Sequence, residues 1–208
     1  MRILILSPHT DDCEVGCGGS IARWTEEGHD VHVLCFSAAV VSLPPGFGPG
    51  TTNEEFYKSM QVFGLFDKAV LTNYPTREFP AWAQQIRQKL VDKKDRFEPD
   101  LVVGPSSTDC HQDHAVVHEE MVRVFKRDAS IIGYEAPWNQ TLTHTQHFVR
   151  LTRAHMAKKH EAMQHYQSQI FKGSGYFDPE HTMGLARVRG VQCNADYAEA
   201  FEVIRWMK

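Results

Sequence analysis

Residues 7–20 read SPHTDDCEVGCGGS and crowd one imidazole and three carboxylates into a segment that follows the apolar run RILIL of residues 2–6. Carboxylate oxygen and imidazole nitrogen together suit a divalent transition ion, and zinc is the commonest ion at such mixed sites. His9 and Asp12 are therefore the first two candidate metal ligands. Asp11, beside them, is left to face an open coordination position rather than the metal itself.

A second segment, residues 100–114, reads DLVVGPSSTDCHQDH and again ends a predicted strand with histidine and aspartate. His111 and His114 bracket Asp113, and a helix is predicted to begin near Gln112. One imidazole of this pair can supply the missing metal ligand while the other faces substrate. The spacing alone does not decide which of them is the ligand.

The elements that must bring these two segments together follow a βαβ pattern. Apolar, β-branched runs alternate with longer helical stretches, which predicts an α/β fold with a mostly parallel sheet. Strands are predicted at residues 2–7, 30–37, 68–71, 100–104, 130–134 and 147–151. Helices are predicted at residues 19–27, 53–63, 81–97, 112–125, 153–169 and 195–206. Ligands of such sheets lie outside the carboxyl ends of the strands, so we expect both segments at one edge.

The walls of the substrate pocket are expected to come from two segments at this edge. Residues 43–52, LPPGFGPGTT, are too rich in proline and glycine to continue a helix or a central strand, which predicts a mobile loop. Residues 138–147 follow a predicted strand end in the same way. We therefore predict that both segments line the acceptor site.

Three other chemistries that use similar residues are not supported. The three carboxylates of residues 11–14 would repel a phosphate, and the segment lacks the G-x-G-x-x-G spacing and the P-loop lysine. His114 and His118 have the spacing of an H-E-x-x-H metalloprotease, but residue 115 is alanine where that site requires glutamate. His118 is then expected on the solvated side of its helix. Cys13 and Cys17 lack the two-residue spacing of the usual thiol motifs.

The bulk composition predicts a single domain over residues 1–208, with a formal net charge of -4 and 42% hydrophobic residues. No segment concentrates lysine and arginine, which argues against nucleic acid and anionic membranes as partners, and the pairs at 93–94 and 158–159 are expected on solvated helix faces. No 18-residue apolar run or leader pattern is present, so a cytoplasmic protein without a membrane span is expected. Five scattered cysteines fit reduced thiols, and the sequence leaves a homo-oligomer open.

The motifs quoted above resemble those of a known family. PHTDDCEVGCGG at residues 8–19 and DCHQDH at residues 109–114 look like the two signature motifs of the PIG-L (LmbE-like) deacetylases. YEAPWN, HYQSQ and YAEAFEVIRW, which start at residues 134, 165 and 197, extend the resemblance along nearly the whole chain. It implies a Rossmann-like α/β fold with helices on both faces of the sheet. It also implies a mononuclear zinc hydrolase that removes an acetyl group from an amino sugar of the N-acetylglucosamine type.

The resemblance also implies a role for each residue of the two signature motifs. By similarity, the metal ligands are His9, Asp12 and His114. Asp11 would be the general base that takes a proton from water. His111 would stabilise the oxyanion, with Asp113 as its carboxylate partner.

The sequence departs from the family pattern where many relatives place an arginine shortly before a glutamate. Here residues 51–55 read TTNEE, so the arginine that would anchor the substrate is missing, and Arg77 or Arg150 is a candidate substitute. Glu135 and Trp138 are expected to flank the pocket, because tryptophan suits a sugar face and glutamate accepts hydroxyl protons.

Two further expectations concern the supporting residues and the reaction. His165, Ser168 and Gln169 are predicted to support the metal-binding loop through hydrogen bonds. Hydrolysis of another amide, an ester or a thiol conjugate is the alternative chemistry, and a glycan-binding protein without turnover is the alternative class. The presence of both Asp11 and His111 favours the enzyme. The residues leave open whether the acceptor is a free sugar, a glycoside, a sugar nucleotide, a larger glycan or an antibiotic precursor.

Overall fold

The computed structural model describes residues 1–207, and its centre is a seven-stranded mixed sheet. The strands are β1 (Arg2–His9), β2 (Asp30–Ser37), β3 (Ala69–Leu71), β4 (Leu101–Pro105), β5 (Ser130–Tyr134), β6 (His147–Leu151) and β7 (Tyr197–Arg205). Their order across the sheet is β3-β2-β1-β4-β5-β7-β6. The pairs from β3 to β5 are parallel, whereas β7 runs antiparallel to both β5 and β6.

Helices cover both faces of this sheet. They are α1 (Asp12–Glu26), α2 (Thr51–Val62), α3 (Phe79–Phe97), α4 (Gln112–Phe125), α5 (Arg153–Gln164), α6 (Gln167–Phe171) and α7 (Pro179–Gln192). Successive side chains of β1 point to opposite faces, so Ile3 and Ile5 join one buried cluster while Leu4 and Leu6 join another. The first cluster includes residues of α1 and α2, and the second includes residues of α3 and α4. The predicted α/β class with a mostly parallel sheet is confirmed.

The direction in which successive strands are added to the sheet reverses between β1 and β4. The crossover from β1 leads to β2 on one side, and the crossover from β4 leads to β5 on the other. The carboxyl ends of β1 and β4 therefore border the crevice in which α/β proteins of this order bind ligands. This is the edge at which the two sequence segments were expected to meet.

Three of the predicted elements are wrong in type or extent, and one helix was missed. Residues 195–206 were predicted as a helix but contain β7, because pairing with β5 and β6 outweighs the helix propensity of the alanine and glutamate in YAEAFEVIR. Helix α7 was not predicted. The helix predicted at residues 153–169 is two helices, and α1 begins at Asp12 rather than near Gly19.

Candidate metal centre

Three ligand atoms, from the last residue of β1 and the first turns of α1 and α4, face one another at this edge. The distance from His9 Nδ1 to Asp12 Oδ2 is 3.1 Å, from Asp12 Oδ2 to His114 Nε2 3.2 Å, and from His114 Nε2 to His9 Nδ1 3.3 Å. Ligands held at zinc–nitrogen and zinc–oxygen distances around a tetrahedral ion lie about 3.3 Å apart. The spacing and the chemistry of this donor set therefore fit a divalent transition ion.

Each imidazole of this set is held on its other nitrogen by a buried carboxylate. His9 Nε2 lies 2.9 Å from Asp113 Oδ2, and His114 Nδ1 lies 2.7 Å from Asp109 Oδ2. A carboxylate behind a metal-binding imidazole fixes the ring orientation and its tautomer. Asp113 was expected to pair with the His111 side chain, and this is corrected, because its carboxylate orients His9 instead.

Asp109 is a residue of this centre that the sequence reasoning missed. Its side chain is buried, and its carboxylate also accepts the His111 backbone N–H at 2.9 Å. The general rule that a metal-binding histidine gives its second nitrogen to a carboxylate was the signal that could have identified it.

A second grouping, of His9 with His111 and Asp113, also has ligand atoms close enough together to hold an ion. It is the poorer set, because the two Asp113 oxygens already accept the backbone N–H groups of Arg77 at 2.7 Å and Phe79 at 3.2 Å. The Asp113 carboxylate therefore fits better as a support of His9 than as a ligand.

The electrostatics of the centre favour positive charge. Burial is the largest single effect and disfavours the charged imidazoles, but Asp12 together with Asp113 at His9, and together with Asp109 at His114, outweighs it. The pKa of His9 is thereby raised to about 9 and that of His114 to about 10. Burial alone would raise the pKa of Asp12, yet the two imidazoles hold that pKa far below its ordinary value. The Asp12 carboxylate therefore stays ionised and is available to bind a cation.

Asp11 lies beside the centre without taking part in the ligand set. It precedes α1, its carboxylate does not cap the helix, and it lines the same pocket as His9 and His114. Burial, and then the charge of Asp12, raise the pKa of Asp11 to about 7. Its carboxylate is therefore placed to exchange a proton near neutral pH.

His111 presents a donor to the pocket. Its Nδ1 accepts the backbone N–H of Asp113 at 3.2 Å, which caps the start of α4. Burial and the neighbouring imidazoles lower the pKa of His111, so the neutral ring is favoured. With Nδ1 acting as the acceptor, the proton of the neutral ring lies on Nε2.

A cavity of about 240 Å³ opens from the metal centre to the surface. Its lining residues are His9, Thr10, Asp11, Asp12, Ala39, Ser42, Thr76, Arg77, His111, His114, Trp138, Asn139, Gln169, Lys172 and Tyr176. The Trp138 indole stacks on the Tyr176 ring with 4.4 Å between centroids. The structure thus places Arg77 and Trp138 in the lining of this cavity.

Two other predicted substrate contacts lie elsewhere. Glu135 is buried in an ion pair with Arg189, whose nitrogens lie 2.6 and 3.0 Å from its oxygens, and it does not line the cavity. Arg150 is exposed on β6, and its backbone carbonyl accepts a hydrogen bond from Arg23. The prediction that either side chain reaches the pocket is therefore corrected.

The pocket walls also differ from the predicted ones. Residues 43–50 do not line the cavity, and α2 already begins at Thr51. Of residues 138–147, only the first two, Trp138 and Asn139, line it. The remaining wall comes from residues 39–42, from the segment after β3 and from residues 169–176. Of these residues, the sequence pointed only to Arg77 and Gln169.

Support of the metal-binding segment comes from a residue next to the ones predicted. The Tyr166 hydroxyl lies within hydrogen-bond distance of the Thr10 carbonyl and, at 2.5 Å, of the buried Glu14 carboxyl group. Ser168 bonds to Glu55 instead, through its N–H at 2.8 Å and its hydroxyl at 2.6 Å. Gln169 lines the pocket, and His165 directly follows α5.

A comparison with protein families identifies the chain. The model of the PIG-L family, described as GlcNAc-PI de-N-acetylase, matches residues 4–125. The chain belongs to this family. The resemblance inferred from the two signature motifs is confirmed, and the match contains every proposed ligand of the metal centre.

Curated members that resemble this PIG-L chain are named as deacetylases. Diacetylchitobiose deacetylase of Thermococcus kodakarensis is 26% identical over 143 residues, which cover 65% of this chain and 48% of that protein. The uncharacterized deacetylase YaiS of Escherichia coli is 28% identical over 142 residues, covering 65% of this chain and 74% of YaiS. The match thus spans about half the length of the Thermococcus enzyme.

Solved structures share the fold at low identity. The conserved protein TT1542 of Thermus thermophilus superposes with a TM-score of 0.81 at 22% identity, covering 100% of this chain and 96% of that one. The zinc-inhibited form of teicoplanin deacetylase Orf2 gives 0.79 at 15% identity, with 97% of each chain covered. GalB, the 4-carboxy-2-hydroxymuconate hydratase of Pseudomonas putida KT2440, gives 0.75 at 20% identity, covering 100% and 98%. Since a hydratase shares this fold, the fold alone does not specify the reaction.

Within residues 1–207, the structure contains no helix that combines the length and the apolar character needed to cross a bilayer.

Proposed function

We propose that this PIG-L protein is a metal-dependent hydrolase that removes the N-acetyl group of an amino sugar. The observation that carries the proposal is the placement of Asp11 and His111 in the same cavity as the His9–Asp12–His114 donor set. A base, a hydrogen-bond donor and a metal-binding group around one open position are the parts that amide hydrolysis requires. The acetyl group and the amino-sugar class of substrate are inferred from the names of the family and of a relative.

The residues that would hold the metal are His9, Asp12 and His114, with zinc as the proposed ion. When bound, such an ion supplies Lewis-acid polarisation of the amide carbonyl and lowers the pKa of water. Asp113 and Asp109 keep the two imidazoles directed at the ion through the contacts described above.

Asp11 would serve as the base and then as the acid. Its carboxylate takes a proton from the water whose oxygen bonds to the amide carbon. When the bond between that carbon and nitrogen breaks, Asp11 gives the proton to the leaving nitrogen, so that acetate and an amine are released. The position of Asp11 on the pocket wall, with its side chain unused as a helix cap, supports this role.

His111 would stabilise the negative charge that develops on the carbonyl oxygen. The hydrogen bond from the Asp113 N–H to Nδ1 leaves the Nε2 proton of the neutral ring available for donation. Loss of one such donor costs about 3–4 kcal/mol of transition-state stabilisation in other hydrolases. His111 also lines the cavity, as this role requires.

The acceptor would lie against Trp138 and the amide side chains of the wall. Trp138 is 38% exposed and is held by stacking on Tyr176, so its ring is a preformed surface for the apolar face of a sugar. Asn139 and Gln169 line the same cavity and can bond to sugar hydroxyls.

The proposal is tested by measuring acetate release from a panel of N-acetylated sugars with zinc-loaded protein. We expect release from at least one sugar, loss of that release after chelation, and recovery when zinc is returned. The variant His114→Ala should have lost both tight metal binding and activity. Release of acetate only from esters or thiol conjugates would replace the proposed reaction by the alternative hydrolysis. Sugar binding without any release would indicate a binding protein.

A further inference from the structure

Two cationic side chains stand at the mouth of the metal pocket. Arg77 lies in the segment between β3 and α3, and Lys172 directly follows α6. Both residues are exposed, and both line the cavity that contains the metal centre. Two separate parts of the chain therefore bring positive charge to one opening.

Neither cation is neutralised by the protein. Within residues 1–207, the Arg77 guanidinium takes part in no hydrogen bond or ion pair, and Lys172 Nζ donates only to the amide oxygen of Gln169 at 3.0 Å. Burial, together with the charge of Arg77, lowers the pKa of Lys172 and outweighs Asp11 and Glu55, which act to raise it. Asp11 and Glu55 therefore act on Lys172 only through space, and no carboxylate of residues 1–207 is directly paired with either cation.

The backbone of Arg77 is held in a conformation that costs energy. Its φ angle is 71°, in the left-handed region that residues other than glycine rarely adopt. The Arg77 N–H donates to Asp113 Oδ2 over 2.7 Å, and the same oxygen lies 2.9 Å from His9 Nε2. Such strain persists at functional positions when surrounding contacts enforce it. Asp113 therefore fixes the position of Arg77 relative to the metal centre.

With His9 and His114 neutral, as metal-binding imidazoles are, the remaining charges that line the cavity are balanced before the ion itself is counted. Asp11 and Asp12 contribute two carboxylates, and Arg77 and Lys172 contribute two cations. Any divalent ion held by the centre then makes the cavity positive overall. Such a cavity attracts a negatively charged ligand.

We propose that Arg77 and Lys172 form a subsite for an anionic substituent, a phosphate or a carboxylate, on the N-acetylated acceptor. The guanidinium presents a planar fork that matches two oxygens of such a group, and the ammonium adds a mobile point charge. Anionic amino sugars are then preferred over neutral ones of the same ring. This inference deepens the proposed function and rests on it.

The test compares kcat/KM for N-acetylglucosamine, its 1-phosphate and its 6-phosphate, with N-acetylmuramic acid as the carboxylate. We expect the wild-type protein to prefer at least one anionic sugar by about tenfold or more. In Arg77→Gln and in Lys172→Gln the ratio of anionic to neutral kcat/KM should fall by about tenfold. The matched control is Arg150→Gln, an exposed arginine away from the pocket, in which the ratio should stay the same. The phosphate and carboxylate sugars identify which anion is bound.

Equal wild-type kcat/KM for neutral and anionic sugars would overturn the subsite while leaving deacetylation intact. A preference that survives in both variants would overturn it as well. If no sugar releases acetate, the proposed function has failed, and calorimetric binding of the same sugars decides about the subsite separately. Tighter binding of an anionic sugar that Lys172→Gln weakens would support it, and equal or absent binding would overturn it.

Discussion

Lys159 Nζ lies 2.6 Å from Glu199 Oε1, and this buried ion pair bonds to the backbone groups of α1 where its helical hydrogen bonding is interrupted. The interruption is at Cys17, whose φ angle of -147° is not helical. The Val15 carbonyl and the Gly19 N–H would bond to each other in a regular helix. Here Lys159 Nζ donates to the Val15 carbonyl at 2.7 Å, and the Gly19 N–H donates to Glu199 Oε1 at 3.0 Å. The pair therefore stabilises the helix whose first residue is a proposed metal ligand.

The variant Lys159→Met should lower the free energy of unfolding by about 3–5 kcal/mol, because it leaves the Glu199 carboxylate buried without its partner. Urea denaturation measures this change. The control is Arg187→Ala, which removes an exposed ion pair with Asp196 and should change the same quantity by less than about 1 kcal/mol. A stability equal to that of the wild-type protein would show that the ion pair does not support α1.

The burial of Lys159 and its ion-pair partner could not be predicted from the sequence. Lys158 and Lys159 were predicted on a solvated helix face, but the Lys159 side chain is only 4% exposed. Its partner Glu199 lies 40 positions away, in the strand that was predicted as a helix. A buried ion pair between distant segments leaves no local periodicity, so only the tertiary structure shows it.

The two segments that carry the proposed ligands could be located because their signal is local, although only the family resemblance separated His114 from His111. His9 and Asp12 lie three positions apart at a strand end, and His114 stands at the start of the helix after β4. A parallel sheet places such ends at one edge, whatever the helices between them do. The cavity wall at Lys172 and Tyr176 was missed, because it comes from the chain between α6 and α7, whose position depends on packing.

The carboxylates behind the two imidazoles should control metal affinity. We expect Asp113→Asn and Asp109→Asn each to weaken zinc binding by about 10- to 100-fold, because the imidazoles lose the groups that orient them. Competition with a chromogenic chelator measures affinity without relying on activity. The control is Asp92→Asn, an exposed carboxylate on α3 that bonds to Gln88. Unchanged affinity in both variants would contradict the orienting role.

Glu202 should make stability depend on pH in the acid range. Burial raises the pKa of Glu202, but hydrogen bonds from the Ser107 hydroxyl at 2.6 Å, the Ser107 N–H at 2.7 Å and the Ser106 hydroxyl at 2.7 Å hold it below its ordinary value. Because the pKa of Glu202 is lower in the folded than in the unfolded state, its ionised carboxylate stabilises the fold. This contribution is complete above the unfolded-state pKa of about 4.3 and is lost as the pH falls through the folded-state pKa.

The variant Glu202→Gln should accordingly be less stable than the wild-type protein at neutral pH, and the difference should shrink as the pH falls below about 4. Denaturation curves at a series of pH values measure this difference. Glu161→Gln, which removes an exposed carboxylate of α5, is the matched control. A difference that stays constant down to the acid limit would contradict the assignment to the Glu202 carboxylate.

Asp11 and Asp12 are adjacent carboxylates with different proposed roles, and substitution should separate them. Asp12 Oδ2 lies between the two imidazoles, whereas Asp11 lines the cavity outside the donor set. Asp11→Asn should therefore keep its zinc but turn over at least about 100-fold more slowly, because asparagine cannot take the proton from water. Asp12→Asn should weaken zinc binding itself. Added zinc should restore turnover only in Asp12→Asn, because mass action refills a weakened site but does not replace a base. Zinc content and acetate release, measured together, test both arms, and near-normal turnover of Asp11→Asn would refute the proposed base.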